Sequence, residues 1–237
     1  MDSTFPIDQI LQRYNLPTNN SRLYSLEELN GIDCDQQFIS ILLKSFEDER
    51  TFSEKDYQKF SLEVIIDYIR RTHCYYLTKK LCEIEQSIYI LLDNYSGSHP
   101  LLNILSTFFE EYTTNLTSHI SMEEKELLPY IKSLLKFERG ELNSARYFSA
   151  TKKYSLQLFI DSHDDTERDL SMVRKTILNY HPPASNETPY RILICQLQTF
   201  EKDLSIHALI EDKVLVPRAL QLQEKLNKLF LSKIELN

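Results

Sequence analysis

His119-Ile-Ser-Met-Glu123-Glu-Lys-Glu-Leu-Leu-Pro129 sets a histidine and a glutamate four residues apart inside an apolar pattern of helical period. On a helix such a pair lies on one face, about one turn apart. The spacing returns at His163/Glu167 and His207/Glu211, and the three histidines follow one another at intervals of 44 residues. Two of the pairs share a longer frame, with Pro129 six residues after Glu123 and Pro217 six after Glu211. With 35 Asp and Glu among 237 residues, an acid falls four positions after a given histidine about one time in seven. Six histidines should then give about one such pair, against three with glutamate here. Imidazole with carboxylate is the ligand set of non-haem iron, manganese or zinc. Turned toward a core, these groups are costly unless paired or metal-bound. A buried dinuclear metal site is therefore the leading expectation.

The segments around the pairs read as long helices. The first runs from about Tyr57 to Asn94 with an inward stripe of Leu62, Ile65/Ile66, Ile69, His73, Tyr76/Leu77, Leu81, Ile84, Ile88 and Leu91. Ser96-Gly97-Ser98-His99-Pro100 breaks it, and a second helix reaches Lys136 before Arg139-Gly140-Glu141, with Phe108, Tyr112, Leu116, His119 and Glu123 inward. The third spans about Ser144 to Leu178 and ends at His181-Pro182-Pro183; the fourth spans about Thr188 to Leu231, with Ile192, Leu197, Phe200, Leu204, His207, Glu211 and Leu220 inward. Four long helices with short connections imply an all-α, up-down-up-down four-helix bundle over 53–237. Residues 1–52 read as a small helical N-terminal domain with one helix over Asp35–Phe46 and a charged link after it; so small a unit must dock to be stable. His73 falls on the first stripe and is the natural fourth imidazole.

Composition narrows the function. The formal net charge is −8, without the clustered Lys and Arg of a nucleic-acid surface. No apolar run approaches the roughly 20 residues of a membrane span. Cys34, Cys74, Cys82 and Cys195 form no C-x-x-C pair, and the N-terminus lacks a secretory pattern, so a cytoplasmic protein with reduced thiols is expected. No nucleotide-binding loop or separate nucleophile stands out, which disfavours a kinase or hydrolase.

Three segments carry a resemblance: His119 to Pro129, Ser162-His163-Asp164-Asp165, and His207-Ala-Leu-Ile-Glu211-Asp-Lys-Val-Leu-Val-Pro217-Arg-Ala-Leu. In these the chain resembles the iron-sulfur-cluster repair di-iron proteins, the repair-of-iron-centres family, over nearly its whole length. The resemblance implies a hemerythrin-like bundle with a small N-terminal domain and a carboxylate-bridged pair of iron ions. It carries ligand roles onto His119, Glu123, His163, His207 and Glu211, with the two glutamates as bridges. It also implies action on damaged iron-sulfur proteins, or on small ligands such as nitric oxide and dioxygen, in nitrosative or oxidative stress. A homodimer is compatible with it. The alternative is a hemerythrin-like oxygen- or iron-binding sensor without turnover.

The chain departs from that pattern in three places. The expected His-His pair of the first helix is His73-Cys74, and the family frame points to Cys74 whereas periodicity points to His73. The next expected histidine falls on Tyr95, with His99 four residues on. Asn19-Asn20 stands where the N-terminal domain of the family has Cys-Cys. Glu167, which the family pattern does not include, is a candidate replacement ligand.

Overall fold

A computed structural model describes residues 5–14, 35–95, 100–162, 170, 172, 174–175 and 187–235. The fold is all-α, and no strand occurs among the described residues. Two N-terminal helices, α1 (Phe5–Arg13) and α2 (Gln36–Glu47), precede a single 3₁₀ turn and the short α3 (Glu54–Tyr57). Asp35 caps α2 by accepting from the backbone N–H groups of Gln37 and Phe38. Ser61 caps the next helix through Val64 N–H at 3.3 Å.

Three long rods follow, and each is interrupted by one wide turn of π-helix. The first is α4 (Leu62–Tyr75), a π turn at Tyr76–Lys80, and α5 (Leu81–Tyr95). The second is α6 (Pro100–Met122), a π turn at Glu123–Leu127, and α7 (Leu128–Glu138). The last is α10 (Thr188–Ile210), a π turn at Glu211–Leu215, and α11 (Val216–Glu235). Proline explains the position of two of the turns. It cannot donate to the helical ladder, and its ring clashes with the carbonyl four residues back. Pro129 and Pro217 stand just after the π turns, where widened bonding moves that carbonyl away. Such turns are rare and concentrate at functional sites; two of these begin on the glutamates of the paired motifs.

Between the second and last rods lie α8 (Ser144–Lys153) and α9 (Leu156–Ser162). The sequence suggests one helix from Ser144 to Leu178; the described part is broken instead. Tyr154 is extended (φ −135°, ψ 139°), and Ser155 Oγ starts α9 by accepting from Leu158 N–H at 3.3 Å. The stop after the second rod is as the sequence suggests. Gly140, at φ 76°, closes α7 with its N–H on Phe137 C=O and the N–H of Glu141 on Lys136 C=O, the paired bonds of a glycine-ended helix.

The buried stripe of the first rod matches the periodicity, from Leu62 through His73 to Leu91. Elsewhere it rotates by one residue. Phe108 is 44% exposed while Phe109 is 3% exposed, and Ile192 gives way to Leu193. One residue turns a helical side chain by about 100°, so an apolar neighbour decides the face only once the partner helix is present.

The core is split in two. One apolar cluster joins Ile65, Ile69, Leu127, Ile206, Ile210 and Leu215 to Ile10, Leu11 and Phe38 of α1 and α2. The other joins Tyr76, Ile120, Phe200 and Leu204 to the outer turns of the rods. Between them lies a layer of buried polar side chains on three rods: His73, Glu123, His207 and Glu211.

Candidate metal centre

The polar layer has a specific geometry. Glu123 is fully buried, and its two oxygens face different imidazoles: Oε1 lies 2.6 Å from Nε2 of His119, and Oε2 lies 3.0 Å from Nε2 of His73. His207 stacks edge-on against His73, with ring centroids 5.1 Å apart, and its Nε2 is 3.7 Å from Oε2 of Glu211. Two groups of ligand atoms result, each within 4.8 Å: His73, Glu123 and His207, and His119, Glu123 and Glu211. Glu123 belongs to both.

His73, not Cys74, faces the layer, and Cys74 is exposed. Periodicity therefore decides between the two. His163 and Glu167, with His99 and the Asn19-Asn20 pair, lie outside the described residues. Of the other expected ligands, His73, His119, Glu123, His207 and Glu211 converge.

Protonation shows how strained the layer is by itself. Burial resists a charge on His73, but its contacts with Glu123 and Glu124 outweigh this and raise its pKa. Burial drives His207 well below the ordinary histidine value, and the neighbouring His73 adds to it. Burial raises Glu211 well above the carboxylate range, and the charges of Glu123 and Asp212 push the same way. His73, His207 and Glu211 thus compete for few protons in one buried layer. A bound cation relieves that competition.

The residues fit a metal on a second ground. Nδ1 of His207 and Oε1 of Glu211 are buried and have no hydrogen-bond partner; buried polar atoms rarely go unmatched. His73 Nε2 is close to Glu123 without hydrogen-bond alignment. A nitrogen and oxygen donor set of this kind suits iron, manganese or zinc.

The surroundings hold two features that the sequence did not disclose. Glu124 accepts at 3.0 Å from Nδ1 of His73 and is itself bonded by Arg70 at 3.2 Å. The His73 contact lowers the pKa of Glu124 first, with Arg70 helping. A carboxylate on one ring nitrogen fixes the tautomer that leaves the other free for a metal. The second feature is a fully buried ion pair between Arg13 of α1 and Asp203, one turn before His207. Arg13 also donates to Thr72, beside His73, at 3.2 Å, and Tyr76 O–H donates to Asp203 at 2.8 Å. Burial opposes the charge of Arg13, yet Asp203 raises its pKa above the usual value. The N-terminal helix is thereby pinned directly behind both inner histidines.

No family model matches the chain. Curated relatives do. The iron-sulfur cluster repair protein ScdA of Staphylococcus epidermidis is 23% identical over 155 residues, covering 65% of each chain. The iron-sulfur cluster repair protein YtfE of Dickeya chrysanthemi is 26% identical over 172 residues, 71% of each chain, and that of Enterobacter sp. is 26% identical over 171 residues, 70% of each. The chain is similar to iron-sulfur cluster repair proteins. Its match spans 65% of the staphylococcal relative's length. Among its described residues no helix is long and apolar enough to cross a membrane.

Proposed function

We propose that the chain holds a carboxylate-bridged pair of non-haem iron ions and protects or repairs iron centres under nitrosative or oxidative stress. The observation that carries this is the position of Glu123, whose carboxylate is common to both ligand groups and directs one oxygen to each. The names of the curated relatives support the repair of iron-sulfur clusters. In this reading His73 and His207 would hold one ion and His119 and Glu211 the other, with Glu123 available to both. His163 and Glu167 complete the set, with Glu167 replacing a ligand lost elsewhere.

Such a pair supplies labile iron and open positions for a small ligand such as nitric oxide or dioxygen. The chain's own residues keep the site dry, hold His73 in one tautomer through Glu124, and neutralise the buried glutamates. Damaged iron-sulfur proteins in the cytoplasm are the clients. Manganese or zinc fits the same donors. Protein purified without oxygen should contain two irons per chain and return activity to a nitric-oxide-damaged 4Fe–4S dehydratase. Iron-free protein that Fe(II) does not stabilise against heat would refute the reading, since binding to the folded state must raise its stability.

Two observations favour a second reading, a hemerythrin-like oxygen or iron sensor without turnover. Asn19-Asn20 replaces the Cys-Cys pair of the family pattern, and Cys74 is exposed, away from the buried layer. Reversible oxygen binding without consumption of nitric oxide would select it.

A further inference from the structure

Tyr154 occupies the break between α8 and α9, within reach of the charges of Glu126, Glu123 and Glu211. The contacts along α7 place it. Phe137 stacks on Tyr147 with centroids 4.1 Å apart, and one heptad back Tyr130 packs on Tyr154 at 5.0 Å. The two helices therefore run antiparallel, and the chain beyond Tyr130 toward the start of the rod is the π turn that begins at Glu123. The hydroxyl of Tyr154 is buried and bonded to nothing, as is Oε1 of Glu211. The other tyrosines of this face are matched: Tyr130 O–H donates to Gln223 and Tyr147 O–H to Asn227.

We propose that Tyr154 completes the site as a hydrogen-bond donor to a small anionic ligand held at the metal pair, beside Glu123 and Glu211. The inference rests on the reading of the layer as a metal pair. Burial, followed by the nearby charges of Glu126, Glu123 and Glu211, raises the tyrosine's pKa, which keeps the phenol protonated and able to donate. A phenol here does what the histidines and carboxylates cannot: it offers a proton to a ligand without adding charge. The ligand class is a small anion or anion-like diatomic with an acceptor atom beyond the one that meets the metal.

Azide binding to the ferric protein, followed optically, tests this. Tyr154→Phe keeps the ring on Tyr130 and removes only the hydroxyl. It should load as much iron as the wild type and bind azide about tenfold more weakly, the usual loss for one hydrogen bond to a charged acceptor. Without metal it should melt no lower than the wild type, because the hydroxyl has no protein partner to lose. Tyr130→Phe is the control and should leave azide affinity unchanged. Equal azide affinity in iron-loaded wild type and Tyr154→Phe overturns the inference and leaves the metal pair standing. Loss of iron from Tyr154→Phe, or of a tyrosinate-to-iron absorption band, also overturns it, since the residue would then be a ligand. An equal loss in Tyr130→Phe assigns the effect to packing and overturns it too. A wild type that takes up no iron overturns both this inference and the metal pair.

Discussion

Glu124 Oε1 lies 3.0 Å from Nδ1 of His73, while Nε2 of the same ring faces Glu123. One glutamate orients the imidazole and its chain neighbour shares the metal face. Both residues that serve the ring lie at the start of the π turn. Glu124→Ala should leave the fold intact and weaken metal retention about 10- to 100-fold, the usual effect of removing such an orienting group. Competition against a chelator reads this directly; unchanged affinity would mean that Glu124 is only a surface partner of Arg70.

Arg13 and Asp203 are both fully buried, and they join the N-terminal helix to the last rod. Removing one partner strands the other's charge. Arg13→Met or Asp203→Leu alone should cost about 3–5 kcal/mol of unfolding free energy. The double change Arg13→Met/Asp203→Leu should recover much of that loss. Urea denaturation of the metal-free proteins would show it, and additive losses in the double variant would contradict the pairing.

Much of the fold was legible because the first rod keeps strict helical spacing. Leu62, Ile65, Ile69, His73 and Tyr76 fall on one stripe, and all are buried. That same stripe separates His73 from Cys74 where motif alignment pointed the other way. Faces with two adjacent apolar residues were not legible. Phe108 and Phe109 are chemically equal, and only packing against the neighbouring rods buries the second. The break at Tyr154–Ser155 contains no glycine or proline, so no local signal announced it. Glu124 and Asp203 find partners 51 and 190 residues away in sequence, His73 and Arg13, which spacing within one helix cannot show. The prolines at 129 and 217 were visible; their link to the π turns was not.

The π turns make a separate prediction. Each holds one residue more than an α-helical path, so deleting the exposed Lys125 should restore a regular helix at 123–127 while keeping Leu127 and Leu128 packed. Glu123 would be re-aimed away from His73. Circular dichroism should show unchanged helix content, and metal content should fall to one ion or none. Full metal content in the deletion variant would show that the wide turn is dispensable.

Glu211 ties stability to pH. In the metal-free fold its pKa is raised, by burial first and then by the charge of Glu123. The folded state therefore holds this proton more tightly than the unfolded state does. Its contribution is fully present below the ordinary carboxylate pKa, about 4.3, and is lost as pH rises. Glu211→Gln should thus make the metal-free protein more heat-stable at pH 7, by about 2–4 °C for each kcal/mol in a chain of this size. The gain should shrink toward pH 4. The same variant should lose its stabilisation by Fe(II). In the wild type, metal must displace the proton, so metal affinity should rise with pH, with measurable proton release on binding. A pH-independent affinity would place Glu211 outside the ligand set.

The most direct measurement is the number of metal ions bound per chain, by anaerobic calorimetric titration of the metal-free protein with Fe(II), in the wild type and in Glu123→Ala. With Glu123 as the residue common to both ligand groups, the wild type should take up two ions and the variant should lose tight binding of both. A wild type that binds one ion, or a variant that still binds two, would contradict the shared carboxylate.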